Sequence, residues 1–230
     1  MTKTVSIGTP PIEIRLRRSA LARRYSLRIS NADGRVSLTL PRNASERAAL
    51  AFAERQEGWL RTALHKRPET QVPTFEGSIL FAGEETVIRA GEGRSVVLRD
   101  GALHVPGSPE VLTAKLRGFL KVQAREKLAE ASFRHADQLG RDISRITLRD
   151  TRSRWGSCTR DGSLMYSWRL IMAPPDVLDY VAAHEVAHLI EMNHSSAFWK
   201  LVENLKPDYA QHRHWLKENG AHLHRYQFSP

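Results

Sequence analysis

The chain has 230 residues and is 41% hydrophobic, and this composition excludes an intrinsically disordered protein. A single cysteine, Cys158, excludes an internal disulfide framework and fits a reducing cytoplasm, where we expect the protein to reside. The sequence has neither a secretory signal nor an apolar run long enough to span a membrane, so we expect no membrane partner. We predict a β-rich N-terminal region with one helix over residues 1–107 and a hydrolase domain over residues 108–230.

Positive charge is concentrated near the start of the chain. The formal net charge is +10, and residues 1–42 hold nine lysines and arginines against two acidic residues, which gives +7 by subtraction. Such a cluster attracts phosphate groups, so nucleic acid or a nucleotide is a candidate partner, and a solvated basic face is the alternative. If the strands predicted over residues 12–20 and 24–30 pair, their guanidinium groups form one positive surface. The arginines concerned are Arg15, Arg17, Arg18, Arg23, Arg24 and Arg28.

A hairpin and a helix are predicted to complete the first part of this region. Apolar and polar residues alternate on both sides of Asp33-Gly34, a pair that favours a tight turn leading into a return strand over residues 36–40. Asn43, with a glutamate three residues later, resembles a capping box. It predicts a helix that runs to about Lys66.

The middle of the chain is predicted to change from short strands to a long helix. Residues 78–106 contain four short apolar segments separated by glycines, which is typical of small strands, and they carry no evident chemistry. Ser108 followed by Pro109 predicts the start of a helix, and Gly140 predicts its end.

A second group of strands is predicted over residues 146–148, 153–157 and 163–169. Asp161-Gly162 joins the last two strands as a tight hairpin. We expect one strand of this sheet to run beside the helix that follows. A substrate peptide could then add to its exposed edge through main-chain hydrogen bonds.

The most informative stretch runs from Tyr180 to Trp199 and reads YVAAHEVAHLIEMNHSSAFW. It contains His184 and His188 in an H-E-x-x-H motif, and two histidines four residues apart project from one helix face and can reach a single metal ion. A catalytic zinc ion needs three protein ligands and one open position, and His194 is the best third ligand. The helix must end before it for the chain to turn back, and Asn193 in a left-handed conformation is predicted to supply that turn.

Three passages of the sequence resemble the YgjP-like, SprT-related zinc metallopeptidases. They are RWGSC at residues 154–158, YSWRL at residues 166–170 and HEVAHLIEMNHSSAFW at residues 184–199, and a weaker likeness lies at residues 23–28. The resemblance implies a zincin-like α+β fold in which the H-E-x-x-H helix lies over a small antiparallel or mixed sheet. It also implies one Zn²⁺ ion held by His184, His188 and His194, with Glu185 as the general base.

The function predicted from the sequence is hydrolysis of peptide bonds in a peptide or protein substrate. Zinc would bring the pKa of a bound water toward about 7, and Glu185 would take its proton and pass it to the leaving group. Arg154, Tyr166 and Tyr180 are candidates for contacts to the substrate or its oxyanion.

Two other functions remain open at this point. One is a zinc-dependent hydrolase of a phosphate-containing substrate such as a nucleotide, with the arginines gripping phosphate. The other is association with nucleic acid, either as a protease that acts on proteins bound to it or as a binding module with a structural zinc. The single cysteine and the glutamate of the motif count against a structural zinc, which is usually closed by four ligands that are often cysteines.

Overall fold

The computed structural model describes residues 3–30, 34–65 and 68–228. Within these residues the chain forms three small mixed sheets and six α-helices, which confirms the predicted α+β class. It divides into two compact units, Met1–Pro68 and Glu69–Pro230. The predicted boundary between residues 107 and 108 therefore lies inside the second unit. The reason is that Ile88 and Leu103, from the strands before that boundary, belong to the same hydrophobic core as the helix after it.

The first unit is a four-stranded sheet with two helices. Its elements are β1 (Lys3–Ile7), β2 (Ile12–Ser19), β3 (Ser26–Ile29), β4 (Val36–Pro41), α1 (Glu46–Arg55) and α2 (Glu57–His65). The strand order is β1-β2-β4-β3, in which β2 and β4 are parallel and the other pairs are antiparallel. Alternation along β2 places Ile12, Ile14 and Leu16 in a core shared with Ala49 and Leu60 of the helices.

Details of this unit differ from the predictions. The first helix starts after Ser45, whose Oγ accepts from Ala48 N, and not at Asn43. The predicted single helix is two helices, because the backbone at Gln56 leaves the helical conformation. The strands on either side of the predicted turn pair antiparallel, as a hairpin requires. Asp33 of that turn and Lys66 at the predicted helix end lie outside the described residues.

The second unit begins with a four-stranded sheet and a long helix. These elements are β5 (Ser78–Phe81), β6 (Glu84–Gly91), β7 (Val97–Arg99), β8 (Ala102–Pro106) and α3 (Pro109–Gln138). The predicted N-cap, Ser108, precedes α3, and Gly140 follows its end with a φ of +60°. Apolar side chains at helical spacing on α3, among them Leu116, Leu120 and Leu128, are fully buried. The helix therefore serves as the support on which the later elements pack.

A three-stranded sheet follows, in the order β10-β11-β9. Its strands are β9 (Arg145–Arg149), β10 (Gly156–Cys158) and β11 (Ser163–Ser167). β10 and β11 form the predicted antiparallel hairpin, in which Gly162 has a φ of +77°, and β9 runs parallel to β11. β10 is thus an edge strand. The chain after β11 departs from the prediction, because Trp168 and Arg169 belong to a 3₁₀ helix, Trp168–Met172.

The last part of the chain is helical. It comprises α4 (Pro175–Ala187), α5 (Ser196–Leu205), α6 (Tyr209–Asn219) and a 3₁₀ helix, Gly220–His224. Nine of the thirteen residues of α4 are buried, as expected for a helix that other elements largely enclose. Among the described residues, no helix combines the length and apolar character that crossing a membrane requires.

Arg169 binds the C-terminal segment to the rest of the second unit. Its side chain is 5% exposed, and its guanidinium forms a two-point ion pair with Asp150, at 2.6 and 3.2 Å. The remaining terminal nitrogen donates to the carbonyls of Leu223 and Tyr226 at 3.0 and 3.1 Å. One buried cation thus satisfies two backbone acceptors in a region from which water is excluded.

We expect Arg169→Met to lower the free energy of unfolding by about 2–5 kcal/mol, because it leaves two buried carbonyls without donors and breaks an ion pair. Denaturation in urea, followed by circular dichroism, measures this loss. Arg149→Met is the matched control, since Arg149 is exposed, and it should change stability by less than about 0.5 kcal/mol. Equal effects of the two substitutions would contradict the role given to Arg169.

Candidate metal centre

Three histidines converge where α4 ends and α5 begins. His184 lies in the last turn of α4, and His188 is its C-cap. The chain then turns, and Ser195 caps α5 by accepting from Phe198 N at 3.2 Å. The predicted turn before His194 is therefore present and returns that residue to the helix end.

Asn193 makes this turn in a different way from the prediction. It does not have the positive φ of a left-handed residue. Instead, its side-chain oxygen accepts a hydrogen bond from Ser195 N at 3.1 Å, so the side chain closes the turn. Asparagine is suited to both solutions, and the sequence alone did not distinguish them.

The geometry of the three histidines fits one metal ion. One ring nitrogen from each histidine lies within 4.8 Å of those of the other two, and the ring centroids are 4.9 to 5.1 Å apart. The Nε2 atoms of His184 and His194 face each other at 3.1 Å. His194 is exposed while His188 is buried, so the cluster opens to solvent on the side of His194.

The protonation of the histidines also suits metal binding. Nδ1 of His188 donates to the carbonyl of Glu191 at 2.8 Å, which leaves Nε2 with a free lone pair. Burial, His188, His194 and Arg213 together lower the pKa of His184 to about 3, so its ring is neutral at pH 7. Nδ1 of His184 is buried and has no hydrogen-bond partner in the described part of the chain. Neutral imidazoles such as those of His184 and His188 are ligands that Zn²⁺ favours.

Aromatic side chains hold the rings in place. Phe198 stacks on His188, with 4.4 Å between centroids, and meets the other two histidines edge-on. Trp199 stacks on His194 at 5.8 Å.

Two residues of α6 near the cluster were missed by the sequence analysis. Tyr209 stacks between Trp199 and Tyr180, at 5.5 and 6.4 Å. The guanidinium carbon of Arg213 lies 4.5 Å from the centre of the Trp199 ring. Arg213 is exposed, so it places a cation beside the histidines. Its helix is separated from the motif by α5, and no local spacing in the sequence indicated that it returns to the site.

Glu185 is buried between α4 and β10. Its side chain is 5% exposed, and burial raises its pKa to about 8 against the opposing effect of Arg154. A Cβ atom placed on Gly156 would lie 2.5 Å from its Oε1 and 2.6 Å from its Cγ. The glutamate therefore occupies space that only glycine leaves free on β10.

The other predicted contact residues lie in different surroundings. Arg154 is exposed just before β10 and lowers the pKa of Glu185, so it is close to that carboxyl group. Tyr180 is 5% exposed and packs edge-on against His184, and burial raises its pKa to about 12. Tyr166 is fully buried, its hydroxyl lies 2.9 Å from Oγ of Ser132, and burial raises its pKa. With no exposed surface to offer a substrate, Tyr166 is a core residue rather than the predicted contact.

A polar cavity of about 520 Å³ adjoins the histidines at His188. The β10–β11 turn and the segments that follow α3 and α4 line it, with Arg141, Arg160 and Met192 among the lining residues. A second cavity of about 600 Å³ lies at the start of α4 and is more apolar, but none of the three histidines lines it. The first cavity is therefore the one that lies beside the histidine cluster.

A second group of potential ligands, Asp176, Asp208 and His212, does not have the same character. Nζ of Lys206 lies 2.8 Å from Asp176 and 3.2 Å from Asp208. His212 Nε2 lies 2.8 Å from Asp208. These carboxylates are already paired with side chains of the protein, so we do not assign a metal to them.

Comparisons with known proteins agree with this geometry. The model of the YgjP-like metallopeptidase domain matches residues 23–219. No curated protein matches the chain with significance. A solved structure, the metallopeptidase zymogen of Pyrococcus abyssi abylysin, aligns with 21% identity and a TM-score of 0.36, over 39% of this chain and 93% of that chain. A likeness of this size adds no argument about fold or function.

We expect the purified chain to bind one metal ion tightly and His194→Ala to lower the affinity by about 100-fold or more, because two imidazoles remain of three. Competition with a zinc-sensitive chelating dye measures the affinity, and elemental analysis measures the stoichiometry. His214→Ala removes an exposed histidine of α6 and serves as the control with unchanged binding. Retention of the parental affinity by His194→Ala would mean that the third ligand lies elsewhere.

Proposed function

The chain belongs to the YgjP-like metallopeptidase family, and from this membership and the histidine cluster we propose that it hydrolyses peptide bonds with one zinc ion. The observation that carries the proposal is the convergence of His184, His188 and His194 within 4.8 Å, with Glu185 next to the first of them. A zinc ion held there supplies Lewis acidity, which acidifies water and polarises the scissile carbonyl.

Glu185 is proposed to act as the general base. Its carboxylate accepts a proton from the attacking water and then donates it to the leaving amine, which restores the carboxylate for the next cycle. The burial of Glu185 supports this role, because a carboxyl group in a site of low dielectric holds a proton more readily than one in water. Gly156 fixes where the carboxyl group lies, and the exposed Arg154 provides a nearby positive charge.

The substrate is proposed to bind as an extended peptide along β10. This strand is the edge of its sheet and starts at the residue that touches Glu185, so a peptide added there would pass the base. The polar cavity beside His188 would receive one of its side chains. Family membership favours a peptide over a phosphate-containing substrate.

We expect Glu185→Gln to retain the metal and the fold but to lower turnover by about 100-fold or more, because an amide cannot accept the proton. The assay uses zinc-loaded protein and an unbiased peptide library with product detection by mass spectrometry. Glu203→Gln, an exposed change on α5, should leave turnover unchanged. Turnover within tenfold of the parent would exclude Glu185 as the base, and no cleavage by the parent would count against the peptidase proposal.

We expect Gly156→Ala to lower turnover by roughly 10- to 100-fold, because its methyl group must displace the Glu185 side chain from its position. Metal affinity should stay near that of the parent, since the ligands are untouched. Gly118→Ala is the control, because a Cβ added to Gly118 on α3 would have no atom within 4 Å apart from the neighbouring backbone of its own helix. Parental turnover in Gly156→Ala, measured with the same peptide library, would show that the contact does not position the base.

A further inference from the structure

The outer surface of the first unit carries three arginines in register. β4 lies between β2 and β3, so these two strands do not pair directly. Nevertheless, Arg15 on β2 and Arg28 on β3 are both paired with Ser37 on β4, which places the two arginines on either side of one serine. Arg17 is paired with Thr39 in the neighbouring row, and Ser26 lies on the other side of Thr39.

This arrangement defines one surface, which we call the basic face. It consists of Arg15, Arg17, Arg28, Ser26, Ser37 and Thr39. Side chains of a strand alternate between the two sides of a sheet, and the alternate residues of β2 and β4 enter the core against α1 and α2. The basic face is therefore the side of the sheet opposite the helices.

The three arginines have no structural role that accounts for them. Within the described residues, none of their side chains forms an ion pair or a hydrogen bond. Arg18 is different, because it donates to the carbonyls of Arg42 and Ala44 and pairs with Glu46. The cost of grouping like charges is thus not offset by contacts within the unit.

The chemistry of the basic face matches a phosphate backbone. Guanidinium groups and hydroxyls are the side-chain donors that contact phosphate oxygens in protein–nucleic acid complexes. Arg15 and Arg17 are about 6.8 Å apart along β2, a length over which each strand of B-DNA carries two phosphates. Arg15 and Arg28 are about 10 Å apart across two strand spacings. Their three charges can therefore contact separate phosphates.

The composition of the face also indicates the form of the nucleic acid. Proteins that bind single strands stack bases on aromatic rings, and none of the residues that define the basic face is aromatic. We propose that the basic face binds the phosphate backbone of duplex nucleic acid without reading its sequence. This proposal concerns the first unit and does not depend on the peptidase activity of the second.

The test is titration of a fluorescent 20-base-pair DNA duplex with the full chain at several salt concentrations, followed by anisotropy. With three phosphate contacts, the slope of log affinity against log salt is about −2.7, so the affinity should fall by roughly 40-fold between 50 and 200 mM salt. Replacing Arg15, Arg17 and Arg28 by Gln should remove most of this slope. Replacing the same residues by Lys should retain it, because the charge remains.

The control changes Arg42, Arg47 and Arg55 to Gln, which removes the same charge from exposed residues outside the basic face. Its slope of log affinity against log salt should differ from that of the parent by no more than the loss of about one phosphate contact would cause. Equal losses in the two Gln variants would assign binding to net charge and overturn the proposal, as would the absence of duplex binding at 50 mM salt. Tighter binding of a single strand, or of anionic lipid vesicles, than of the duplex would also overturn it.

Discussion

The site depends on α4, a helix that is buried along most of its length and still presents polar groups. Ala182, Ala183 and Ala187 are small enough for neighbouring elements to approach α4 closely, and all three are fully buried. Burial makes the neutral form of each titratable group more stable, so the imidazole of His184 keeps its lone pair at neutral pH. The packing around α4 therefore also keeps His184 in the form that can bind a metal ion.

The same packing decides where the glutamate lies. Glu185 packs against Gly156 of β10, whereas Phe198 and Trp199 pack against the histidines. Gly156 leaves the space that its carboxyl group fills. The proposed ligands therefore pack against α5, whereas the proposed base packs against β10. A change in one of these elements can affect metal binding or proton transfer separately.

The local parts of this arrangement could be predicted from the sequence. A four-residue spacing on a helix fixes the relative position of His184 and His188, and the return of His194 requires only a turn within a few residues. Non-local parts could not be predicted in the same way. The insertion of β4 between β2 and β3 depends on a parallel pairing that no alternation pattern encodes, and Arg213 reaches the site through the packing of a separate helix. Tyr166 was predicted to contact the substrate because strand alternation does not show which side of a strand a helix covers. In the structure its hydroxyl lies against Ser132 of α3.

The closeness of the three histidines along the chain bears on how the ion and the fold influence each other. Ten positions separate His184 from His194, so bringing them together closes only a short loop and costs little chain entropy. A short segment with this spacing retains some affinity for metal even when the rest of the chain is unfolded, and such residual affinity weakens the linkage between metal binding and folding. The hydrophobic core around α3 and α4, rather than the ion, therefore has to hold the second unit together. We therefore expect removal of a bound metal ion to abolish activity while the second unit stays folded.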